Sequence, residues 1–200
     1  MGITIVAAAP RDVDTIARVL GEAFRADPHL RGLLTSGDDR DAQERLTRLY
    51  RMLVGHHLRS RQPLDLAVED GQVLGAAVWS PPGRNHARIG PRDLLTLVRV
   101  FGRRLPDAGR ESRSVAAVRP GEPHWYLAAI GTAVPAQGRG VGRAMIEHGL
   151  ARADRDGHGC HLEAATRDLV PLYEGFGFLD RGDIASPTPA HAVAMWRPVP

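Results

Sequence analysis

The sequence predicts an α/β protein in which helices cover both faces of a mixed, twisted sheet of about seven strands. Three observations lead to this prediction. Strand-like and helical patterns alternate along the 200 residues in the order βααββ(αα)βαβαββ. The pair Asp70-Gly71 separates two strand-like runs, which indicates a β-hairpin. A buried-strand pattern over residues 125–132 leads into a glycine-rich turn and then an amphipathic helix.

The first third of the chain predicts one strand and two helices. Residues 3–8 are predicted to form the strand, and Asp12 is the expected N-cap of a helix with an apolar stripe. The pair Asp27-Pro28 is expected to end this helix, because the residue before a proline avoids the helical conformation. A loop over residues 29–38 and a second long helix over residues 38–60 are predicted to follow.

The middle of the chain predicts the hairpin and a helical segment. Residues 64–69 and 72–80 are its expected strands. A helical stripe covers residues 91–105, and a weaker helix is predicted for residues 107–118. We interpret residues 84–123 as a helical insertion within a single domain that spans all 200 residues.

The last part of the chain predicts three strands and one short helix after the glycine-rich turn and its helix. The strands are expected at residues 159–165, 178–181 and 191–197, and the short helix at residues 169–176. There are no internal repeats and no low-complexity tracts, so this part is expected to complete the same sheet.

Composition excludes several classes of protein. All 26 basic residues are arginine, so the high pI of about 9.7 accompanies a net charge of only +3. No basic cluster has interleaved aromatic residues, so we expect no nucleic-acid partner. No apolar run is long enough to span a membrane, and residues 1–9 lack the basic start of a signal peptide, which favours a cytoplasmic protein. The single cysteine, Cys160, excludes an internal disulfide, and its histidine neighbours match no zinc spacing, so we predict no metal.

The glycine-rich turn is the most informative segment. A strand, a turn with close backbone approach and a helix N-terminus together form a site for an anion. A P-loop requires a lysine, which the chain lacks. A dinucleotide-binding turn requires a third glycine where this chain has Arg143 or Met145. The remaining pattern is Gln137, Gly140 and Gly142, followed by the basic Arg143.

This pattern resembles the acetyl-CoA pyrophosphate loop of the GNAT superfamily of N-acetyltransferases. A second motif, Tyr173 followed by Gly177-Phe178, lies where that superfamily has its tyrosine signature. Within the superfamily the chain is most similar to the puromycin N-acetyltransferases and their unassigned bacterial relatives. The sequence departs from the family at Pro135, which is displaced along the chain. It also departs at the family's frequent asparagine, which falls at Leu169 or is replaced by Thr166 or Asp168.

The resemblance implies the GNAT fold, acetyl-CoA as co-substrate and a defined set of cofactor contacts. The central strand is expected to diverge from its neighbour, so that its free backbone groups bind the pantetheine arm, with Gly131 marking a bulge. The pyrophosphate is expected on the backbone of the loop, with Arg139 and Arg143 available to the phosphates. The expected cofactor-binding residues are Ile130, Gly131, Thr132, Ala133, Val134, Gln137, Gly138, Arg139, Gly140, Val141, Gly142, Arg143 and Thr166.

Acetyl transfer to an amine requires an acid for the departing thiolate and a path for the amine's proton. Tyr173 is the implied acid, because a phenol, whose pKa is ordinarily about 10, holds its proton at neutral pH. Glu163 and His124 are the candidate bases, and Glu122 and His86 remain open as alternatives. An aromatic acceptor pocket is expected from three residues. These are Phe24, Trp79 and Tyr126.

These inferences lead to one main hypothesis and its alternatives. The chain is expected to transfer the acetyl group of acetyl-CoA to a primary amine of a small molecule, by direct attack in a ternary complex. A peptide N-terminus or a lysine is the alternative acceptor. A non-catalytic acyl-CoA sensor is the alternative class of function. We expect a monomer or a homodimer with no membrane partner.

Overall fold

The computed structural model describes residues 2–34, 38–83 and 90–199, and within those ranges the strands form one seven-stranded sheet. The strands are β1 (Thr4–Ala7), β2 (Leu64–Glu69), β3 (Gln72–Ser80), β4 (Trp125–Thr132), β5 (Cys160–Ala164), β6 (Leu179–Asp183) and β7 (Val193–Arg197). The helices are α1 (Val13–Ala23), α2 (Pro28–Leu33), α3 (Asp39–Arg59), α4 (Pro91–Phe101), α5 (Leu105–Ala117), α6 (Val141–Arg155) and α7 (Val170–Glu174). The sheet order is β1-β2-β3-β4-β5-β7-β6, with β4 and β5 parallel and the other neighbours antiparallel. The predicted mixed sheet is confirmed.

The β2–β3 hairpin and α3 agree with the sequence prediction. The turn residues Asp70 and Gly71 have φ values of 49° and 78°. A two-residue hairpin turn of this kind needs positive φ at both positions, which aspartate and glycine tolerate. Asp38 caps α3, since its Oδ1 accepts the Asp41 N–H at 2.8 Å. Both elements are therefore determined by local side-chain chemistry.

The segment after α1 differs from the prediction. Residues 28–33 form α2 where a loop was expected, and residues 35–37 of the predicted loop lie outside the described part of the chain. Asp27 is the N-cap of α2, because its Oδ1 accepts the Leu30 N–H at 2.9 Å. Pro28 occupies the first helical position, where a missing N–H costs nothing. The pair Asp27-Pro28 therefore follows α1 and also begins α2.

Asp12 lies at the N-cap position of α1, as predicted, but its side chain does not cap the helix. A 3-10 turn, Pro10–Asp12, lies ahead of the helix, and the Oδ2 of Asp12 accepts the Ala9 N–H at 2.7 Å at the start of that turn. The carboxylate therefore closes the turn before the helix and is not available to the first N–H groups of α1.

Each face of the sheet carries its own apolar core. Helices α1 and α3 pack on one face, where Ile16 and Leu46 are fully buried. Helix α6 packs on the other face, where Met145 lies in a cluster with Trp79. The close approach of α6 depends on Gly149, because a Cβ added there would lie 2.1 Å from Cζ2 of Trp79. The sheet is therefore covered on both sides, as predicted.

Helices α4 and α5 fall in the segment interpreted as an insertion. Helix α4 packs on α3, and α5 packs on α2, with 3.1 Å between His29 Nε2 and Glu111 Oε1. Both of these side chains are buried. Residues 84–89 lie outside the described part of the chain, and the insertion remains an interpretation. Among the described helices, none has the length and apolar character needed to cross a membrane.

Candidate active site

The central strands β4 and β5 separate part-way along their length. They pair in parallel only where residues 125–127 face residues 160–162. Beyond that point β4 continues to Thr132, paired with β3 alone. The N–H of Ala133 donates to Leu74 O at 2.8 Å. Because hydrogen-bonded pairs alternate along an antiparallel ladder, the backbone groups of Ile130 and Thr132 face the opening between β4 and β5.

The bulge in β4 lies at Ala128. Leu127 pairs with Trp79 and Ala129 pairs with Val78, so Ala128 is the additional residue. The prediction that Gly131 marks the bulge is wrong, because Gly131 pairs in regular register. A Cβ at Gly131 would lie 2.8 Å from Cβ of Ala23, so this glycine instead permits the close approach of α1.

The glycine-rich loop exposes its backbone at the C-terminal end of β4. Gly138 and Gly140 have φ values of 74° and 79°, in the left-handed region that favours glycine. No heavy atom lies within 4 Å of a Cβ added at either position. Gly140 precedes α6 without a side-chain cap, so the first N–H groups of the helix remain available to a ligand. Val141 is buried and anchors the loop.

The two arginines of the loop have surface partners. The Nη2 of Arg139 pairs with Glu69. The Nη1 of Arg143 lies 3.1 Å from Glu147, and its guanidinium lies over the Phe176 ring at 4.9 Å. Such exposed ion pairs contribute little to stability, so both guanidinium groups can exchange a carboxylate for a phosphate at small cost.

A cleft of about 270 Å³ opens where β4 and β5 separate. Tyr173 of α7 lines it, and the hydroxyl group makes no hydrogen bond to any described residue. Burial raises the pKa of Tyr173 to about 12, so the phenol keeps its proton at neutral pH. Ala165 and Leu169 also line the cleft. Thr166, a predicted cofactor contact between them in sequence, is not in the lining, and its side chain makes no cap hydrogen bond to the following 3-10 turn. Leu169 therefore presents an apolar side chain where the family frequently has an asparagine.

Glu163 of β5 lines the same cleft. Its Oε2 accepts the Tyr126 hydroxyl at 2.6 Å, and its Oε1 lies 3.0 Å from His161 Nε2 and 3.5 Å from Arg119 Nε. Burial by itself raises the pKa of Glu163, but the hydrogen bond from His161 and the charges of His161 and Arg119 outweigh burial and lower it. Glu163 is therefore an ionised carboxylate in a largely apolar cleft.

His124 lies outside this cleft. It lines a neighbouring cavity of about 310 Å³ together with Glu122 and Arg119. Its Nδ1–H donates to Glu122 O at 2.7 Å, and burial lowers the pKa of His124. The structure thus brings Tyr173 and Glu163 to one cleft and places His124 and Glu122 at the neighbouring cavity. His86, also considered as a base, lies outside the described residues.

The aromatic residues divide between the two faces of the sheet. Phe24 and Tyr126 line the cleft, and their contact with the acceptor remains a prediction. Trp79 does not, because it is fully buried against Gly149 on the α6 side. Successive side chains of a strand point to opposite faces, so the neighbouring Val78 faces the α3 side instead. The prediction that Trp79 lines the acceptor pocket is corrected accordingly.

Asp27 and Tyr50 are among the cleft residues that the sequence did not predict. Asp27 and Tyr50 line the cleft from the α1–α2 turn and from α3. Burial raises the pKa of Asp27, and burial together with the Asp27 charge raises the pKa of Tyr50. The Tyr50 ring also packs on Phe24, with 5.3 Å between ring centroids. In the sequence Asp27 is recognisable only as part of the pair Asp27-Pro28, which was expected to end α1.

Comparison with known proteins identifies the family. The profile of the Acetyltransferase (GNAT) family matches residues 29–178 of the chain. The chain belongs to this family. A GNAT protein with this fold is an acetyl-CoA-dependent N-acetyltransferase, as the sequence predicted. The closer resemblance to puromycin N-acetyltransferases rests on sequence motifs and remains a prediction.

Individual relatives agree with this assignment. An uncharacterised N-acetyltransferase of Schizosaccharomyces pombe is 26% identical over 181 residues, which cover 84% of this chain and 71% of the relative. A Corynebacterium glutamicum structure, described as histone acetyltransferase HPA2 and related acetyltransferase, is 31% identical with a TM-score of 0.77, over 100% of this chain and 98% of that one. Arylalkylamine N-acetyltransferase 2 of Aedes aegypti shares the fold, with 13% identity and a TM-score of 0.61 over 100% of both chains.

Proposed function

We propose that this GNAT protein transfers the acetyl group of acetyl-CoA to a primary amine of a small molecule, by direct attack in a ternary complex. One observation carries the proposal. Tyr173 and Glu163 line a single cleft at the point where β4 and β5 separate. The glycine-rich loop lies at the end of the same strand, so one extended cofactor bound along β4 would place its acetyl group beside both side chains.

Different residues of the chain are assigned to cofactor binding and to proton donation. Acetyl-CoA supplies the acetyl group as a thioester. The exposed backbone at Gly138 and Gly140 suits the pyrophosphate, and the free backbone groups of Ile130 and Thr132 suit the pantetheine amides. Tyr173 holds a proton in the cleft that it would donate to the departing thiolate.

Glu163 has a role that its charge defines. The lowered pKa of Glu163, which reflects its contacts with His161 and Arg119, makes it a weak base that stays ionised. Asp27 also lines the cleft, and the one histidine of that lining, His29, is paired with Glu111. The cleft therefore favours a positively charged acceptor. We infer that Glu163 binds the ammonium group, which must lose its proton to water before the attack.

A small acceptor agrees better with the cleft than a peptide does. The cleft measures about 270 Å³, close to the lower end of the range for small-molecule sites. His29 of α2 and Val115 of α5 line the cleft. These two helices therefore limit the space for an acceptor. The C. glutamicum relative is described as a histone acetyltransferase. For this reason a lysine side chain is the second candidate acceptor.

The acceptor class is tested by thiol release from acetyl-CoA with a panel of amines. The panel contains puromycin, an aminoglycoside, a polyamine, small aromatic and aliphatic amines, and lysine-containing peptides. We expect release with one or more small amines and none with the peptides. Release with peptides alone contradicts the proposal. Binding of acetyl-CoA without release for any amine favours the sensor alternative.

Replacing Asp27 should weaken binding of the acceptor. In Asp27→Asn we expect KM for the amine to rise at least about tenfold, because a hydrogen bond to a charged group contributes roughly 1.5–3 kcal/mol. Asparagine still caps α2, so the fold is retained. Steady-state kinetics measure the KM for the amine and the KM for acetyl-CoA, and the KM for acetyl-CoA should not change. Asp14→Asn, at an exposed carboxylate paired with Arg51, is the matched control. An unchanged amine KM in Asp27→Asn excludes Asp27 from acceptor binding.

Replacing Gly140 should weaken binding of the cofactor. In Gly140→Ala the left-handed conformation at φ 79° costs roughly 1–2 kcal/mol, and relief of that strain moves the loop backbone. We expect Kd for acetyl-CoA, measured by calorimetry, to rise about tenfold or more. Gly71→Ala in the hairpin is the matched control, because φ is 78° and nothing lies within 4 Å of the added Cβ. Equal Kd values for the two variants contradict the loop assignment.

A further inference from the structure

A separate cavity adjoins the cleft on the side of α3. It measures about 200 Å³, and we call it the α3 cavity. Its lining is Tyr50, Leu53, Val54, His57, Val78, Ser80, Tyr126, Ala128 and Ala129. Four of these residues, Tyr50, Tyr126, Ala128 and Ala129, also line the cleft. The two spaces therefore share walls at the bulge of β4.

The lining of the α3 cavity is mostly apolar and contains no acidic residue and no arginine. Leu53, Val54 and Val78 supply aliphatic groups from α3 and β3. His57 Nε2 lies 3.0 Å from Pro63 O and 2.9 Å from Trp79 O, so this nitrogen carries a hydrogen and donates to both carbonyls. Burial lowers the pKa of His57, which keeps the ring neutral. The cavity thus offers no charge to a ligand, in contrast to the cleft with Asp27 and Glu163.

The size and position of the α3 cavity suit one part of an acceptor. An engineered apolar cavity of about 150 Å³ in another protein binds benzene, so about 200 Å³ accommodates a phenyl ring. At the shared wall Ala128 and Ala129 present methyl groups, and Tyr50 and Tyr126 complete it. An amine held at Glu163 can therefore extend its carbon skeleton past these methyl groups toward Val54.

We propose that the α3 cavity binds the apolar substituent of the acceptor, so that the preferred substrates are primary amines carrying an aryl or branched alkyl group. This inference rests on the proposed function, because it assigns the other end of the same substrate. Purely polar amines, such as polyamines, leave the cavity unfilled and are poorer substrates. Selectivity is then determined by Val54 and Val78, which contact the substituent and not the reacting atoms.

The first test uses the wild-type protein and a homologous series of amines. Thiol release is measured with n-alkylamines from ethylamine to hexylamine, with phenethylamine and with putrescine. We expect kcat/KM to rise about fourfold per methylene until the cavity is full, since each buried methylene contributes about 0.8 kcal/mol. Phenethylamine should exceed putrescine by at least about tenfold. A flat series, or a preference for putrescine, overturns the inference while the proposed function stands.

The second test changes the volume of the cavity in both directions. Val54→Phe fills it, and we expect the ratio of kcat/KM for phenethylamine to that for ethylamine to fall at least about tenfold. Val54→Ala enlarges it, and the optimum of the alkyl series should move to a longer chain. Met52→Phe, a substitution on the same helix outside the cavity lining, is the matched control and should leave the ratio unchanged.

The outcomes separate the inference from the proposed function. An unchanged ratio in a folded Val54→Phe variant, with an unmoved optimum in Val54→Ala, overturns the assignment of the cavity alone. If Val54→Phe does not fold, Val54→Ala and the wild-type series decide. Absence of thiol release with every amine, despite binding of acetyl-CoA, overturns the proposed function and the inference together.

Discussion

Replacing Tyr173 with phenylalanine should reduce kcat by about 10²–10⁴-fold, the range typical of a lost general acid. The substitution removes one oxygen atom from a residue whose hydroxyl has no hydrogen-bond partner among the described residues, so the fold should be unaffected. Kd for acetyl-CoA should change little, because the proposed cofactor contacts are made by the backbone of β4 and the glycine-rich loop. The thiolate would then depart without a proton donor at hand.

The measurement is steady-state thiol release, with calorimetry to confirm binding of acetyl-CoA. Leu172→Ala, at an exposed neighbour on α7, is the control and should retain the wild-type kcat. Because the pKa of Tyr173 is about 12, the phenol is protonated at every pH well below that value, and the wild-type rate should show no loss of the acid up to about pH 10. A kcat for Tyr173→Phe within about threefold of the wild-type value assigns the acid to another group.

Replacing Gly149 with alanine should destabilise the protein by more than about 3 kcal/mol, at or beyond the upper end of the usual cost of overpacking. The added Cβ would lie 2.1 Å from Cζ2 and 2.2 Å from Cε2 of Trp79. The indole is fully buried between the sheet and α6, so it has no space into which to move. Either α6 shifts away from β3 or the indole leaves its rotamer, and both changes disrupt the core on this face.

Denaturant unfolding gives the free energy of unfolding for this variant. Gly109→Ala in α5 is the matched control, because its Cβ would approach only Nη1 of Arg113, at 3.8 Å. Alanine is the better helix former, so this control should gain up to about 1 kcal/mol. A second variant, Trp79→Leu, removes the obstructing ring, and in that background Gly149→Ala should cost far less. Equal costs in the two backgrounds would show that the contact with Trp79 is not the cause.

Local patterns predicted the elements that local chemistry determines. The hairpin around Asp70 and Gly71 requires positive φ at two successive residues, and few residue pairs satisfy that requirement. The glycine-rich loop was recognised for a related reason, because the glycines at 138 and 140 adopt positive φ. The role of Asp27 as the N-cap of α2 was not predicted, because an Asp-Pro pair can follow one helix or begin the next.

The sequence by itself determined the family, the order of the strands along the chain, and the identity of Tyr173 and Glu163 as candidate site residues. These depend on motifs and on periodicity, which are properties of short segments. The positions of Ala128, Asp27 and Trp79 were decided only by the tertiary structure. A one-residue bulge changes which face of the sheet each later side chain occupies, and neither the bulge nor the helix that packs on it is encoded locally. Trp79 is a core residue because α6 packs against it at Gly149, and Asp27 lines the cleft from the turn between α1 and α2.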